Sequence, residues 1–360
     1  MEEILLNLSN NIPNMKLAIH HREESFSTRW ISYCEREGIE YLLVDCFDTD
    51  IISKLLKHQV THLMWHFNHA SSRDLQVFPY VFNSVKNLNI KTYPNFETRW
   101  HFDDKIAQKY LLESIGAPLV KSTVFYNQAK ARLYVDSARY PIVAKLRRGA
   151  GAANVELLNN RKEANEYIKK MFTSGRNPIS GNLENLDQKL RIAKRIKNPI
   201  ILLQKISKYL VKNRRERNIT NLEIGYVYFQ EFLSMNDFDT RIIVIGDIAF
   251  GIRRFNRKDD FRASGSGKLD FNASAIDTNM VSIAFDVSQK LKAQCLAYDF
   301  VYKDRQPQII EVCFGFSMLA YDACEGYWDK DLNFIKGPFN PQDFMIREFI
   351  GNRNKEIPFN

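Results

Sequence analysis

Two stretches in the last third of the chain constrain the fold more than any other feature. "DTRIIVIGDIAFGIRRF" (239–255) and "CLAYDFVYKDRQPQIIEVCFGFS" (295–317) each read as two apolar strands joined by a tight polar turn. Hairpins this apolar are not stable alone in water and imply an antiparallel sheet with a covered face. With Gly246 and Asp247 as a two-residue turn, Arg254 falls opposite Asp239. Arg241 then shares that face and Arg253 points away, unless a bulge reverses it. If the second hairpin turns around Arg305, Asp299 falls opposite Glu311, with Cβ atoms about 5 Å apart. Two carboxylates facing each other in an apolar strand pair repel and cost desolvation, unless a metal or a proton intervenes. Oxygen ligation with open positions suits Mg²⁺ held between protein and phosphate oxygens. The alternative is that one carboxylate faces solvent, and that the arginines are surface groups of an edge hairpin.

The first hundred residues carry a different pattern. "MKLAIHH", "IEYLLVD" and "THLMWHF" read as strands, separated by helical stretches "STRWISYCEREG" (ending at Gly38) and "TDIISKLLKHQ". Strands alternating with helices imply a small parallel α/β unit, placed at 1–98. No GxGxxG follows its first strand, so a dinucleotide site is not supported. In "HLMWHFNH", His62 and His66 share a strand face but lie about 13 Å apart, too far for one zinc ion.

From Asp103 the pattern changes again. "DDKIAQKYLLESIGAP" is an amphipathic helix stopped by Gly116 and Pro118, and "STVFY" is a strand. "YPIVAKLRRGAGAANV" (140–155) then leads through a Gly-rich loop into the strand "NVELLN". A Walker loop or a Rossmann loop needs a helix directly after its glycines, and none follows here. A Gly-rich hairpin with Lys145 on its incoming strand can lie over nucleotide phosphates, the small residues permitting close backbone approach. A mobile hairpin is the other reading.

A length of 360 residues accommodates two or three compact units. The net charge of +9 is concentrated: from Glu184 to Arg217 eleven basic residues face three acidic ones, within an amphipathic insertion at 174–224. Such an element attracts an anionic partner or forms a solvated helical face. No apolar run is long enough to span a bilayer, and the opening "MEEILLNLSNN" lacks the basic start of a secretory signal. Five cysteines at irregular spacings predict reduced thiols in a cytoplasmic protein.

Taken in order, Lys105 in "DDK", Lys145 in "PIVAK", the Gly-rich hairpin, "FQEF", "DTR", "RR", a Ser/Gly loop, "YDF" and "IIEV" resemble the ATP-grasp superfamily of carboxylate–amine ligases. The likeness covers about 90–340, with the first unit fitting in outline. It implies an α+β fold in which two ATP-grasp subdomains, 99–229 and 230–360, follow the parallel unit and enclose a nucleotide cleft. It further implies ATP and Mg²⁺ as cofactors. Lys105 and Lys145 would bind phosphates beneath a loop containing Gly149, Gly151 and Ala152. Gln230, Glu231 and Phe232 would form the hinge that reads adenine, with Asp239 beside them. Arg241 and one of Arg253 or Arg254 would steady the transferring phosphoryl group, Arg262 would contact the acceptor, and Asp299 and Glu311 would hold Mg²⁺. "DFRASGSG" and "CEGYWDKDLN" look similar to ATP-grasp proteins of bacterial surface-polysaccharide biosynthesis. One departure concerns the metal: the family's Glu-x-Asn reads Glu311-Val312-Cys313 here, and a thiol is a poor ligand for a hard cation.

The resemblance implies an ATP-dependent ligase joining a carboxylate to an amine, with an anionic glycan precursor as one candidate substrate. A homodimer is compatible with it, and no nucleic-acid partner is expected. Two other readings stay open: a kinase of a saccharide or small molecule, and a catalytically degenerate protein that binds a polyanion through its basic insertion.

Overall fold

The computed structural model describes residues 15–69, 71–149, 154–178, 222–257, 260–263 and 266–351. Gly151, Ala152 and residues 179–221 of the basic insertion lie outside them. Among the described residues no helix is long and apolar enough to cross a membrane.

The alternating pattern at the start folds into a parallel sheet. Strands β1 (Leu17–His20), β2 (Tyr41–Val44), β3 (His62–Trp65) and β4 (Lys91–Tyr93) stand in the order β2-β1-β3-β4, each neighbouring pair parallel. Helices α1 (Phe26–Glu37), α2 (Ile51–Lys57) and α3 (Ser72–Val85) connect them. Helix α1 buries Phe26, Trp30, Tyr33 and Cys34, one helical stripe, and stops where Gly38 takes a left-handed φ of 65°. The sequence patterns do not disclose α3 or β4: Pro79 lies inside α3, and β4 has only three residues.

A one-turn helix α4 (Phe96–Arg99) and helix α5 (Lys105–Ser114) lead to a second sheet. Asp104 caps α5 by accepting the amides of Ile106 and Ala107, so Lys105 occupies the first helical position. Strand β5 (Ser122–Phe125), helix α6 (Gln128–Ser137), strands β6 (Ile142–Lys145) and β7 (Val155–Leu158), helix α7 (Arg161–Thr173) and strand β8 (Val227–Glu231) follow. The sheet is antiparallel in the order β5-β8-β6-β7, and it shares a core with α6 and α7 around Ala131, Ile142, Ile168 and Phe229.

The hairpins build the third and largest sheet. Strands β9 (Phe238–Ile245), β10 (Ile248–Phe255), β12 (Cys295–Lys303), β13 (Gln306–Cys313), β14 (Gly326–Asp329) and β15 (Phe334–Lys336) run antiparallel in the order β13-β12-β9-β10-β14-β15, while the short β11 (Leu269–Asp270) pairs with β10. Helix α8 (Thr278–Leu291) covers one face, packing Met280, Val281, Ala284 and Val287 against Ile242, Val244, Leu296 and Tyr298. On the other face Ile243, Ile245, Phe250 and Ala297 join Leu17, Trp30 and Phe82 of the first unit in one continuous core, which α9 (Pro341–Ile350) completes with Met345 and Ile346.

Both hairpin registers bear on function. The first turns at Gly246-Asp247 as expected, and Arg254 stands opposite Asp239. The second turns at Asp304 and Arg305, with φ of 50° and 61°, so that Lys303 pairs with Gln306. Continued regularly, that register would set Asp299 against Ile310. It sets Asp299 against Glu311 because the ladder shifts between Phe300 and Asp299, with Ile310 as the extra residue. Ile309 supports the bulge by donating its amide to the Pro118 carbonyl at 2.7 Å.

Candidate functional site

A cleft of about 800 Å³ opens between the second and third sheets, and the loop following β3 contributes to its wall. Lys145 lines it, and Lys105, from a separate element, lies beside the lining residue Glu311. Lys145 ends β6, a strand whose four residues are all buried. Burial disfavours its charge, Glu311 opposes that effect and Lys105 adds to it, leaving Lys145 lowered to about 8. Lys105 donates from Nζ to the Gly149 carbonyl at 2.6 Å and faces Glu311 Oε1 at 3.3 Å. Burial also works against its charge, yet Glu311 and Asp103 outweigh it and hold Lys105 above its ordinary value.

The Gly-rich loop begins from a fixed anchor. Gly149 donates its amide to Asp103 Oδ1 at 2.9 Å, and the Lys105 amide donates to the Arg147 carbonyl at 3.0 Å. Gly149 holds φ at 120°, which L side chains rarely adopt, and an added Cβ would lie 2.2 Å from Asn154 Nδ2. This permissive residue is what brings the backbone close to Lys105.

On the opposite wall, charge is paired within the protein. Arg241 grips Asp299 through Nε and Nη2 at 2.5 and 2.7 Å, and Arg254 grips Asp239 through the same atoms at 2.6 and 2.7 Å. Arg254 Nη2 also reaches Asp299 at 2.9 Å, closing a buried quartet of two arginines and two aspartates. Burial opposes ionisation of Asp299, but Arg241 and Arg254 prevail and hold it well below the usual carboxylate range. The register predicted both pairings of face. It did not predict that two guanidinium groups would clasp Asp299.

The remaining expected residues separate into two groups. Gln230, Glu231, Phe232 and Arg262 line the cleft. Gln230 donates to Ser122 Oγ at 2.9 Å, Glu231 pairs with Lys303 at 2.6 Å, and Arg262 Nε bonds Asp260 at 3.0 Å. Arg253 lies elsewhere: it binds Asp270 on β11 and lies over the Phe238 ring. Of the two arginines left open by the sequence, Arg254 is the one joined to the cleft-lining Asp239 and Asp299, from a buried position behind the wall.

Other residues of the cleft were not read from the sequence. His66, Asn68 and His69 follow the carboxyl end of β3, and Arg22 lies just beyond β1. His69 Nε2 lies 3.0 Å from Cys313 Sγ, and its Nδ1 faces Asp103 Oδ1 at 3.4 Å. Burial disfavours a charged His69, but Cys313 and Asp103 outweigh it and raise the imidazole to about 10. The same Asp103, under the pull of His69, Lys105 and the Gly149 amide, stays below the ordinary carboxylate value despite burial. One available signal was the rule that parallel α/β sheets bind ligands beyond the carboxyl ends of their strands.

The donor set fits one magnesium ion better than two. Glu311, with 28% of its side chain exposed, faces the cleft, whereas both Asp299 oxygens are held by arginine. Mg²⁺ commonly takes one or two carboxylates and completes its shell with phosphate oxygens and water, which Glu311 alone satisfies. Cys313 adds only a soft sulfur.

No family model matches the chain, and no curated protein matches its sequence. Solved structures do match its fold. Biotin carboxylase from Campylobacter jejuni, in complex with β,γ-ATP, is 12% identical with a TM-score of 0.58, over 95% of this chain and 72% of that one. N5-carboxyaminoimidazole synthase from Aspergillus clavatus, in complex with ADP and 5-aminoimidazole ribonucleotide, is 10% identical with a TM-score of 0.56, over 96% and 78%. A RimK-domain protein from Sphaerobacter thermophilus DSM 20745 is 12% identical with a TM-score of 0.51, over 93% and 99%. At these identities the likeness is one of fold.

Proposed function

We propose that this chain, which has the ATP-grasp fold, is an ATP- and Mg²⁺-dependent ligase that activates a carboxylate as an acyl phosphate and joins it to an amine. One observation carries the reading. Lys105, Lys145 and Glu311, from three distant stretches, converge beside one glycine loop at the edge of a cleft between two antiparallel sheets. Buried cations, close backbone approach and a partly exposed carboxylate suit a triphosphate and its metal.

Each group has a task in that reaction. Lys105 and Lys145 bind phosphate oxygens, and Glu311 would hold Mg²⁺, which when bound neutralises charge on the phosphoryl oxygens. Arg241, fixed by Asp299, presents a preorganised guanidinium at the cleft, and Arg254 behind it braces Asp239 and Asp299. The substrate carboxylate attacks the γ-phosphorus and ADP leaves. The amine then attacks the acyl carbon and phosphate leaves. Gln230, Glu231 and Phe232 take the nucleoside end, and Arg262 with Arg22 suits an acidic acceptor, such as a uronic acid of a surface-polysaccharide precursor.

The test supplies ATP, Mg²⁺ and a panel of uronic and amino acids, with hydroxylamine as the amine. Release of ADP and phosphate together with a hydroxamate is the expected outcome. A stable phosphorylated product would make the chain a kinase instead. Calorimetry showing heparin binding without nucleotide binding would make it a degenerate polyanion-binding protein.

A further inference from the structure

Two further reactive groups, Cys313 and His69, line the same cleft, with Asp103 behind His69. Cys313 Sγ lies 3.0 Å from His69 Nε2, and His69 Nδ1 lies 3.4 Å from Asp103 Oδ1. Gly315 also faces the sulfur, donating its amide to it at 3.2 Å and offering its carbonyl to the thiol at 3.1 Å. The three side chains come from the end of β13, the loop after β3 and the residue before the α5 cap. Asp103 Oδ1 faces Nδ1 and Cys313 Sγ faces Nε2, and both favour the charged ring, so His69 is suited to hold the thiol proton. A nucleophile, a base in reach of it and a group that orients the base together make the general apparatus of covalent catalysis.

Position distinguishes this thiol from the other four. Cys313 and His69 line the cleft, whereas Cys34, Cys46, Cys295 and Cys324 do not. Cys295 and Cys324 instead turn their sulfurs toward the carbonyls of Phe314 and Gly251. Cys313 also follows Glu311 by two residues on one strand, which places it about 7 Å further along the same side of β13. The thiol therefore stands next to the point where the acyl phosphate would form.

We propose that Cys313 takes the acyl group from the acyl phosphate and holds it as a thioester until the amine arrives, with His69 as its base and Asp103 as the positioning residue. The inference rests on the ligase reading above. In the first step the Sγ proton resides on His69 Nε2 as an imidazolium–thiolate pair, the thiolate attacks the acyl carbon, a C–S bond forms, and the C–O bond to phosphate breaks. The proton passes from His69 to the departing phosphate. In the second step the amine nitrogen attacks the thioester carbon and the C–S bond breaks. The proton lost by the amine returns through His69 to sulfur. The two steps sum to amide and phosphate, with no oxidant or reductant needed.

The full chain is incubated with ATP, Mg²⁺ and a carboxylate probe (glucuronate, galacturonate or glutamate) without amine, then quenched in acid. Intact mass is expected to rise by one acyl group, discharged by neutral hydroxylamine and absent in Cys313→Ala. ADP is measured in the same samples. ADP without an adduct overturns the thioester and leaves the ligase reading standing. If no probe yields ADP, the ligase reading is what fails, and iodoacetamide on the unliganded chain judges the relay itself. Cys313 should then react at least about tenfold faster than the other cysteines, and about tenfold slower in His69→Gln. Equal rates at all cysteines, or a rate at Cys313 indifferent to His69→Gln, overturn it.

Discussion

Asp299 stands directly opposite Glu311 across the β12–β13 hairpin, yet the two carboxylates serve different partners: arginines clasp the first and Lys105 faces the second. Their removal should therefore have different consequences. Asp299→Ala leaves Arg241 and Arg254 buried without their shared anion, for an expected loss of about 3–5 kcal/mol in stability. Urea unfolding reads this as a lowered midpoint. A midpoint equal to that of the parent chain would show that the quartet contributes little to the fold.

Glu311→Ala should abolish the chemistry at a moderate cost in stability. Its carboxylate is partly solvated, but it is the main counter-charge of buried Lys105, so a loss of about 1–3 kcal/mol is expected. Nucleotide-dependent ADP release should fall at least about a hundredfold through loss of metal-assisted charge neutralisation. Titration with Mn²⁺ in the presence of ATP, followed by water proton relaxation, should show the site lost.

Lys145 predicts a pH dependence of definite sign. Burial holds it at about 8 against an ordinary 10.5. Above about 8 it becomes neutral and no longer attracts phosphate, so ATP affinity should fall by up to about tenfold per pH unit. Stability of the unliganded chain moves oppositely, rising between about 8 and 10.5, because there the unfolded state binds the extra proton. Calorimetry on the parent and on Lys145→Met checks both: the methionine variant should lose this step in affinity.

Gly149→Ala should weaken nucleotide binding more than it weakens the fold. The alanine would have to hold φ near 120° and displace the Asn154 amide, or release the Gly149 amide from Asp103. The cost of such a conformation is about 1–3 kcal/mol, borne by a loop at the sheet margin. A tenfold or greater rise in the ATP dissociation constant is expected, with a thermal midpoint shift of a few degrees at most. An unchanged dissociation constant would show that the loop plays no part in holding phosphate.

What the sequence disclosed and what it withheld follow a physical line. A two-residue turn fixes the pairing of every residue in its hairpin, so Gly246-Asp247 was enough to place Arg254 against Asp239. The Asp299–Glu311 pairing was also legible, although for an incomplete reason. The turn lies at Asp304-Arg305, and only the bulge at Ile310, which depends on the distant Pro118 carbonyl, restores the pairing. His69 could not be placed by local pattern, because its partner Cys313 lies 244 positions away. The arginine–aspartate quartet was hidden for a related reason: alternation along a strand says which residues share a face, not which ions will neutralise one another.

The apolar interior is divided into separate cores. The first sheet and the largest sheet are welded by one continuous apolar cluster, whereas the second sheet packs with α6 and α7 around a cluster of its own. The two walls of the cleft therefore answer to different cores: a substitution that loosens the apolar cluster beneath Lys145 need not disturb the wall that carries Glu311 and Arg241.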